Sequence, residues 1–286
     1  MCTAVSFKNK NALFGRNLDL DYHYSESVAV VPRNFPFAFK KNRFAIIGTA
    51  FVKNGFPLFY DGMNEKGLFA AGLNFPKSAV YFPEREGFLN VASFELIPWI
   101  LSTCKNLSEA KEKLSQANVL NTNFEESLPA TPLHWFFADK TGSIVAEPVE
   151  SGLKIYENPV GVLTNEPPFP KHLENLGKIK GTVFAENLSS EERFAKAVFM
   201  KENCNFEKDF VTQFFKILES VGKTELKEKT EKTVYSSCAD PENLVYYYKT
   251  YENGRISAVD MKKENLDGEK IISYPMVFEN DIFFQN

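Results

Sequence analysis

Apolar and polar positions divide this chain into blocks of different period. Thr3 to Phe7 alternates and is β-prone, Lys8-Asn9-Lys10-Asn11 reads as a turn, and Ala12 to Leu20 reads as a second strand interrupted by Gly15. The pair predicts a hairpin opening the chain. Further β-prone runs follow at Ser27 to Val31, Phe44 to Phe51 and Gly67 to Leu73, with turns at Asn54-Gly55 and Asn64 to Gly67. The pattern then becomes helical. Ala92 to Cys104 is apolar on most faces, and Ser108 to Ala117 is amphipathic, with Asn106 as its N-cap and Glu109 three residues on. Strands return at Leu133 to Ala138, Ser143 to Glu147, Leu153 to Tyr156 and Gly161 to Leu163. A second helical block follows. Ser189 and Glu192 form a capping box before Arg193 to Lys201, and Asn205 caps Phe206 to Val221, which ends at Gly222. Thr233 to Cys238, Leu244 to Tyr251 and Ile256 to Asp260 close the chain as strands, the last two joined across Glu252-Asn253-Gly254-Arg255. Segregated blocks of strands and helices predict an α+β protein of stacked layers rather than alternating βαβ units.

Composition narrows the function. The chain has 286 residues, 44% hydrophobic, which suffices for a substantial core, and no linker or repeat divides residues 1–286, so one domain is expected. Its 28 phenylalanines supply an aromatic core and material for an apolar pocket. A net charge of -4 without a basic patch argues against nucleic acid as a partner. The N-terminus has no signal-peptide pattern, and Ala92 to Cys104 is too short and too interrupted by Glu95 to span a bilayer. A cytoplasmic protein with no membrane partner is expected. Cys2, Cys104, Cys204 and Cys238 are scattered without metal-ligand spacing, and His23, His134 and His172 are too dispersed for a metal site, so neither metal nor organic cofactor is expected.

Cys2 carries the first chemical signal. A small residue after Met1 permits removal of the initiator, which would put a free thiol and a free α-amine on one residue. An ordinary thiol titrates near about 8.5 and an α-amine near about 7.7–8.0, so the amine can take the thiol proton. If the opening hairpin forms, Arg16 runs back beside Cys2 to stabilise a thiolate, and Asp19 can hold the α-amine. Arg16 and Asp19 are three apart, however, so a regular strand sends them to opposite faces unless it ends or bulges between them. Taken alone, the two also read as a surface ion pair.

The chain resembles the choloylglycine hydrolase family, the bile salt hydrolases and penicillin V acylases among the N-terminal nucleophile hydrolases. The resemblance is carried by Met1-Cys2-Thr3, Phe14-Gly15-Arg16-Asn17-Leu18-Asp19, Asp61 to Leu68, Ala71-Gly72-Leu73-Asn74-Phe75-Pro76, Leu133-His134-Trp135, Gly161 to Asn165 and Tyr246 to Met261, in the family's order over nearly the whole chain. It implies a four-layer αββα sandwich of two mainly antiparallel sheets between helix layers. It also implies a cysteine amidase in which Cys2 is the nucleophile, Arg16 and Asp19 are its paired partners, Asn74 and Asn165 contribute to the oxyanion hole, and Arg193 is the distal arginine. Read singly, Asn74 and Asn165 also suit turns before proline-containing segments, and Arg193 suits a solvated helix turn. The stretch between Asn165 and Arg193 is shorter than in the bile salt hydrolases, which bears on homo-oligomer assembly (dimer or tetramer) and conjugate preference.

The expected partner is a small amide with a bulky apolar acyl group, and Leu18, Tyr22, Tyr60 and Phe124 are candidates for its pocket, with core packing as the other account of them. Conjugated bile salts come first, because the bile salt branch tends to have Asn where Asn74 stands and the penicillin branch often has Tyr. Penicillin V and N-acyl homoserine lactones follow. A non-catalytic ligand-binding protein and a thiol-redox protein using Cys238 are the alternatives from other classes.

Overall fold

The computed structural model describes residues 1–8, 12–39, 43–179, 188–205, 209–225 and 231–286. In chain order the strands and helices are Cys2–Phe7 (β1), Leu13–Leu20 (β2), Ser27–Val31 (β3), Ile46–Lys53 (β4), Phe56–Asn64 (β5), Phe69–Asn74 (β6), Leu89–Ala92 (β7), Leu96–Thr103 (α1), Leu107–Leu114 (α2), Ala117–Leu120 (β8), Leu133–Asp139 (β9), Gly142–Val149 (β10), Gly152–Glu157 (β11), Val162–Leu163 (β12), Phe169–Ile179 (α3), Ser190–Asn203 (α4), Phe210–Ser220 (α5), Lys232–Asp240 (β13), Val245–Thr250 (β14), Ser257–Asp260 (β15) and Ile272–Pro275 (β16). The expected turn at residues 9–11 and the start of the expected helix at 206–208 lie outside the described residues.

Two antiparallel sheets form the centre. One runs β12-β1-β2-β13-β14-β15 and the other β11-β10-β9-β6-β5-β4-β3-β16. α1 and α2 cover the outer face of the eight-stranded sheet, and α4 and α5 cover the six-stranded one, with α3 packed beside α4. The architecture is the expected four-layer α+β sandwich. Strand β9 shows how the layers are encoded. Trp135 and Phe137 join the core beneath α1 and α2, while Phe136 and Ala138 join the core between the sheets. A strand covered on both faces has no polar face, so its period of two is hidden in a continuous apolar run.

The capping expectations hold at two helices. Asn106 Oδ1 accepts from the Glu109 N–H at 2.9 Å, although Glu109 reaches back to Lys105 rather than to the cap itself. Ser189 and Glu192 make the reciprocal box that starts α4. Strands β5, β7, β8 and β16 and helix α3 were not expected. Pro57 disguises β5 as a loop, yet β5 pairs with β6 only from Asp61 to Met63, so the missing N–H falls in the half that has no β6 partner. Helix α3 follows Pro167-Pro168 and contains Gly177, a composition that reads as a turn; Phe169, Leu173 and Leu176 nevertheless form a helical stripe.

Gly15 has a local reason. A β-carbon there would lie 2.0 Å from the Ser237 carbonyl oxygen, so only glycine lets β2 and β13 approach. Among the described residues, no helix is long and apolar enough to cross a membrane.

Candidate active site

The opening hairpin assembles the site. β1 and β2 pair in register, Cys2 opposite Leu18 and Ala4 opposite Arg16, so the Arg16 side chain runs back along the strand to the buried thiol. One guanidinium nitrogen of Arg16 lies 2.6 Å from Cys2 Sγ, and the other terminal nitrogen donates to the Tyr60 carbonyl at 3.0 Å and the Gly72 carbonyl at 2.6 Å. Those carbonyls belong to the stretch where β5 and β6 no longer pair, so Arg16 supplies donors that the splayed strands lack. Burial works against the charged guanidinium, but Cys2, Tyr235, Asp61 and Asp19 outweigh it and push the Arg16 pKa up.

Asp61 is a functional neighbour that sequence reasoning quoted only as part of a motif. It is fully buried and accepts hydrogen bonds from the Tyr235 hydroxyl at 2.5 Å, the Tyr246 hydroxyl at 2.6 Å and the Ser237 hydroxyl at 2.9 Å. Burial raises its pKa, and Arg16 together with the three hydroxyls opposes that rise. A buried Asp between two β-strands that each contribute a tyrosine has no local sequence signature.

Arg16 and Asp19 lie on opposite faces of β2, as their spacing of three requires. Beyond the Cys2 thiol and the Asn17 carbonyl, the Arg16 guanidinium contacts the eight-stranded sheet. Asp19 instead accepts from the Thr233 hydroxyl at 2.7 Å and sits 3.8 Å from Arg193, which α4 delivers from outside the six-stranded sheet. No bulge in β2 brings them together; the register shift lies on the partner strand, between Thr233 and Tyr235. Cys2 stands at the strand end, so Arg16 meets its thiol on one side while, on the other, Asp19 lies beside the Arg193 that holds its main chain. Arg193 donates to the Cys2 carbonyl at 2.6 Å, the Thr3 hydroxyl at 2.8 Å and Asn165 Oδ1 at 3.0 Å. Burial pulls its pKa down against the attraction of Asp19 and Cys2. Burial likewise raises the Asp19 pKa, against Arg193 and the amino terminus.

Asn165 ties the parts together. Its Oδ1 accepts from the Cys2 N–H at 2.6 Å, and its Nδ2 donates to the Asn74 carbonyl at 2.8 Å, leaving a second N–H on that nitrogen. The Asn74 side-chain amide has no hydrogen-bond partner among the described residues and faces the cavity. Two histidines hold the loop from behind. His134 Nε2 lies 2.8 Å from the Thr164 carbonyl while its Nδ1 faces Glu147 at 3.1 Å, and His172 Nε2 lies 2.9 Å from the Asn165 carbonyl. A carbonyl can only accept, so both Nε2 atoms carry protons. Burial keeps His172 neutral by lowering its pKa.

The thiol opens into a cavity of about 430 Å³ lined chiefly by apolar side chains, among them Leu18, Phe51, Tyr60, Phe124 and Leu133. Of the four expected pocket residues, Leu18, Tyr60 and Phe124 line it and Tyr22 does not. Tyr22 is 58% exposed and only touches the wall through its hydroxyl, 2.8 Å from that of Tyr24, which takes the lining position. Phe124 packs with Phe56 and Phe94, with ring centroids 5.3 to 5.7 Å apart. Among the described residues no His, Cys, Asp and Glu group is arranged to hold a metal, and all four cysteines are free.

An αββα sandwich with a buried cysteine at the head of its first strand, an arginine on the thiol and paired asparagines beside it defines an N-terminal nucleophile amidase. Comparison with known proteins narrows the class. The family model for linear amide C–N hydrolases, choloylglycine hydrolase family, matches residues 2–187 and 181–274. The chain belongs to that family. It is 41% identical to a bile salt hydrolase/transferase of Lactiplantibacillus plantarum over 100% of both chains, and 36% identical to one of Clostridium perfringens over 96% of both. A variant of conjugated bile acid hydrolase from Clostridium perfringens superposes over 100% of both chains with a TM-score of 0.92 at 33% identity. Penicillin V acylase from Agrobacterium tumefaciens shares the fold, with a TM-score of 0.77 at 19% identity over 95% of this chain and 90% of that one.

Proposed function

We propose that this enzyme hydrolyses the amide bond of glycine- and taurine-conjugated bile salts, with Cys2 as nucleophile once Met1 has been removed. The observation that carries the reading is the Arg16 guanidinium 2.6 Å from a thiol that opens into an apolar cavity. The relatives matched over their full length, which bear the names bile salt hydrolase and conjugated bile acid hydrolase, support the choice of acyl group. Asn74 supports it as well.

Sγ attacks the carbonyl carbon, and its proton passes to the Cys2 α-amine. The carbonyl oxygen becomes an oxyanion held by the free Asn74 amide and the second N–H of Asn165. The C–N bond breaks as the α-ammonium returns the proton to the leaving nitrogen. A thioester remains, which water hydrolyses with the same amine as base. Arg16 stabilises the thiolate that leaves. Asp19 has the matching role for the amine: its Oδ2 is buried without a hydrogen bond among the described residues, and freeing the Cys2 amine supplies donors beside it.

Release of glycine, taurine or 6-aminopenicillanate from glycocholate, taurocholate and penicillin V, run on wild type and Cys2→Ser together, tests the proposal. Turnover of the two bile salts that Cys2→Ser abolishes is expected. Faster release from penicillin V would replace the substrate, and full activity in Cys2→Ser would remove the nucleophile.

A further inference from the structure

The histidine behind the Asn165 loop touches both halves of the proposed oxyanion hole. His134 sits on β9 and Glu147 on β10, next to the registered pair Trp135 and Ala146, and both side chains are fully buried. His134 Nε2 donates at 2.8 Å to the Thr164 carbonyl, in the peptide group that enters Asn165. The flat of the same ring stacks on Phe75, with centroids 4.3 Å apart and planes 8° apart, and Phe75 follows Asn74. Asn165 Nδ2 ties the two ends together by donating to the Asn74 carbonyl at 2.8 Å.

Glu147 fixes the ring in that position. Its Oε1 lies 3.1 Å from His134 Nδ1 and accepts from the Phe169 N–H at 2.9 Å. Two bare acceptors do not approach so closely, so one proton lies between Nδ1 and the carboxyl group, whichever atom holds it. Turning the ring over would put carbons where both nitrogens stand and lose the contact at each end. Neither side chain lines the cavity. We propose that Glu147 and His134 are a positioning pair for the reaction: through Thr164 and Phe75 they set the spacing of the Asn165 and Asn74 amide donors, and so act on the oxyanion without touching it. Preorganised donors stabilise a developing charge only at the place where they are aimed, and a misplacement of about 1 Å costs about 10²-fold in rate.

The inference rests on the hydrolytic reading and is tested on whichever of glycocholate and penicillin V the wild type turns over faster. Turnover of neither would remove both readings, whereas failure of the pair alone shows only in the variants. An asparagine amide reaches about as far as Nδ1 of a histidine, and a glutamine amide about as far as Nε2. His134→Asn therefore keeps the Glu147 contact and loses Thr164, while His134→Gln keeps Thr164, and both lose the ring on Phe75. His134→Asn is expected to lower kcat about 10²-fold, and His134→Gln to hold it within about tenfold of wild type. KM, and the rate at which iodoacetamide alkylates Cys2 without forming an oxyanion, should stay within about twofold of wild type in both. Equal kcat in the two variants overturns the proposal, because Thr164 then plays no part. A fall in alkylation that parallels kcat also overturns it, because the pair is then a support for Cys2. Circular dichroism reports folding. If either variant fails to fold, Phe75→Leu, which removes only the stacked ring, must lower kcat with KM and alkylation unmoved, and an unchanged kcat overturns the pair.

Discussion

Asn165 joins three parts of the site, and replacing it two ways separates structure from catalysis. Asn165→Ala strands the Cys2 N–H at 2.6 Å, one N–H of Arg193 at 3.0 Å and the Asn74 carbonyl at 2.8 Å. The carbonyl lies beside the cavity and can turn to water, which leaves two buried donors at about 1–3 kcal/mol each. A loss of roughly 3 kcal/mol in stability is expected after relaxation, read as a lower urea midpoint. Asn165→Asp keeps the acceptor toward Cys2 and Arg193, gains a charge opposite Arg193, and sets two acceptors against each other at the Asn74 carbonyl. It should be the more stable of the pair. Both variants lose the Asn165 N–H proposed to hold the oxyanion, so both should lose about 10²–10³ in kcat, or about 2.7–4 kcal/mol. KM for glycocholate should move little, because the apolar cavity is untouched. Glycine release under saturating substrate measures this. If Asn165→Asp turns over within tenfold of wild type, the oxyanion role is wrong and the residue only braces Cys2.

Three other outcomes follow from the geometry. In the uncleaved chain the α-ammonium lies on Glu231 at 2.7 Å and on the Asp19 carbonyl at 2.8 Å, away from the thiol. A protease-removable N-terminal extension should therefore abolish activity as fully as Cys2→Ala, and cleavage that exposes Cys2 should restore it, with intact mass tracking the terminus. His172 is held neutral, its pKa lowered by burial, so the stability it contributes is present above the ordinary histidine value of about 6.5 and is lost as pH falls through that value toward the lowered one. His172→Gln keeps a donor for the Asn165 carbonyl, and its unfolding free energy should fall less steeply below about pH 6.5; an identical slope refutes the assignment. Gly15→Ala meets the Ser237 carbonyl oxygen at 2.0 Å and should cost about 3 kcal/mol or more, visible as a large drop in Tm.

Local signals carried much of this protein. The caps Asn106 and Ser189, the opening hairpin and the hairpin of β14 and β15 were legible, because each depends on residues a few positions apart. The order of Cys2, Arg16, Asp19, Asn74, Asn165 and Arg193 was legible as a resemblance; in the structure Arg16 meets the Cys2 thiol, Asn165 and Arg193 meet its main chain, Asp19 lies beside Arg193, and Asn74 is tied to Asn165. Arg193 reaches Cys2 despite the short stretch before it. Its contacts are made through α4, whose position depends on packing against the six-stranded sheet rather than on the length of the connection.

Other features needed the third dimension. Sequence spacing correctly sent Arg16 and Asp19 to opposite faces, but only the packing shows how a residue at a strand end serves both. The exchange of Tyr22 for Tyr24 at the cavity wall turns on which tyrosine faces inward beyond the end of β2, and no periodicity extends past a strand. Asp61, Tyr235 and Tyr246 meet from two sheets, the Glu147–His134 pair braces a loop 30 residues from the histidine, and Trp135 keeps a buried donor beside a bare glycine. By itself the sequence indicated most of the elements and, through resemblance, the nucleophile and its candidate partners, since backbone preference and side-chain chemistry are local properties. Tertiary structure decided which carbonyls Arg16 satisfies and where the cavity opens, because these depend on how two sheets stack and where their strands part.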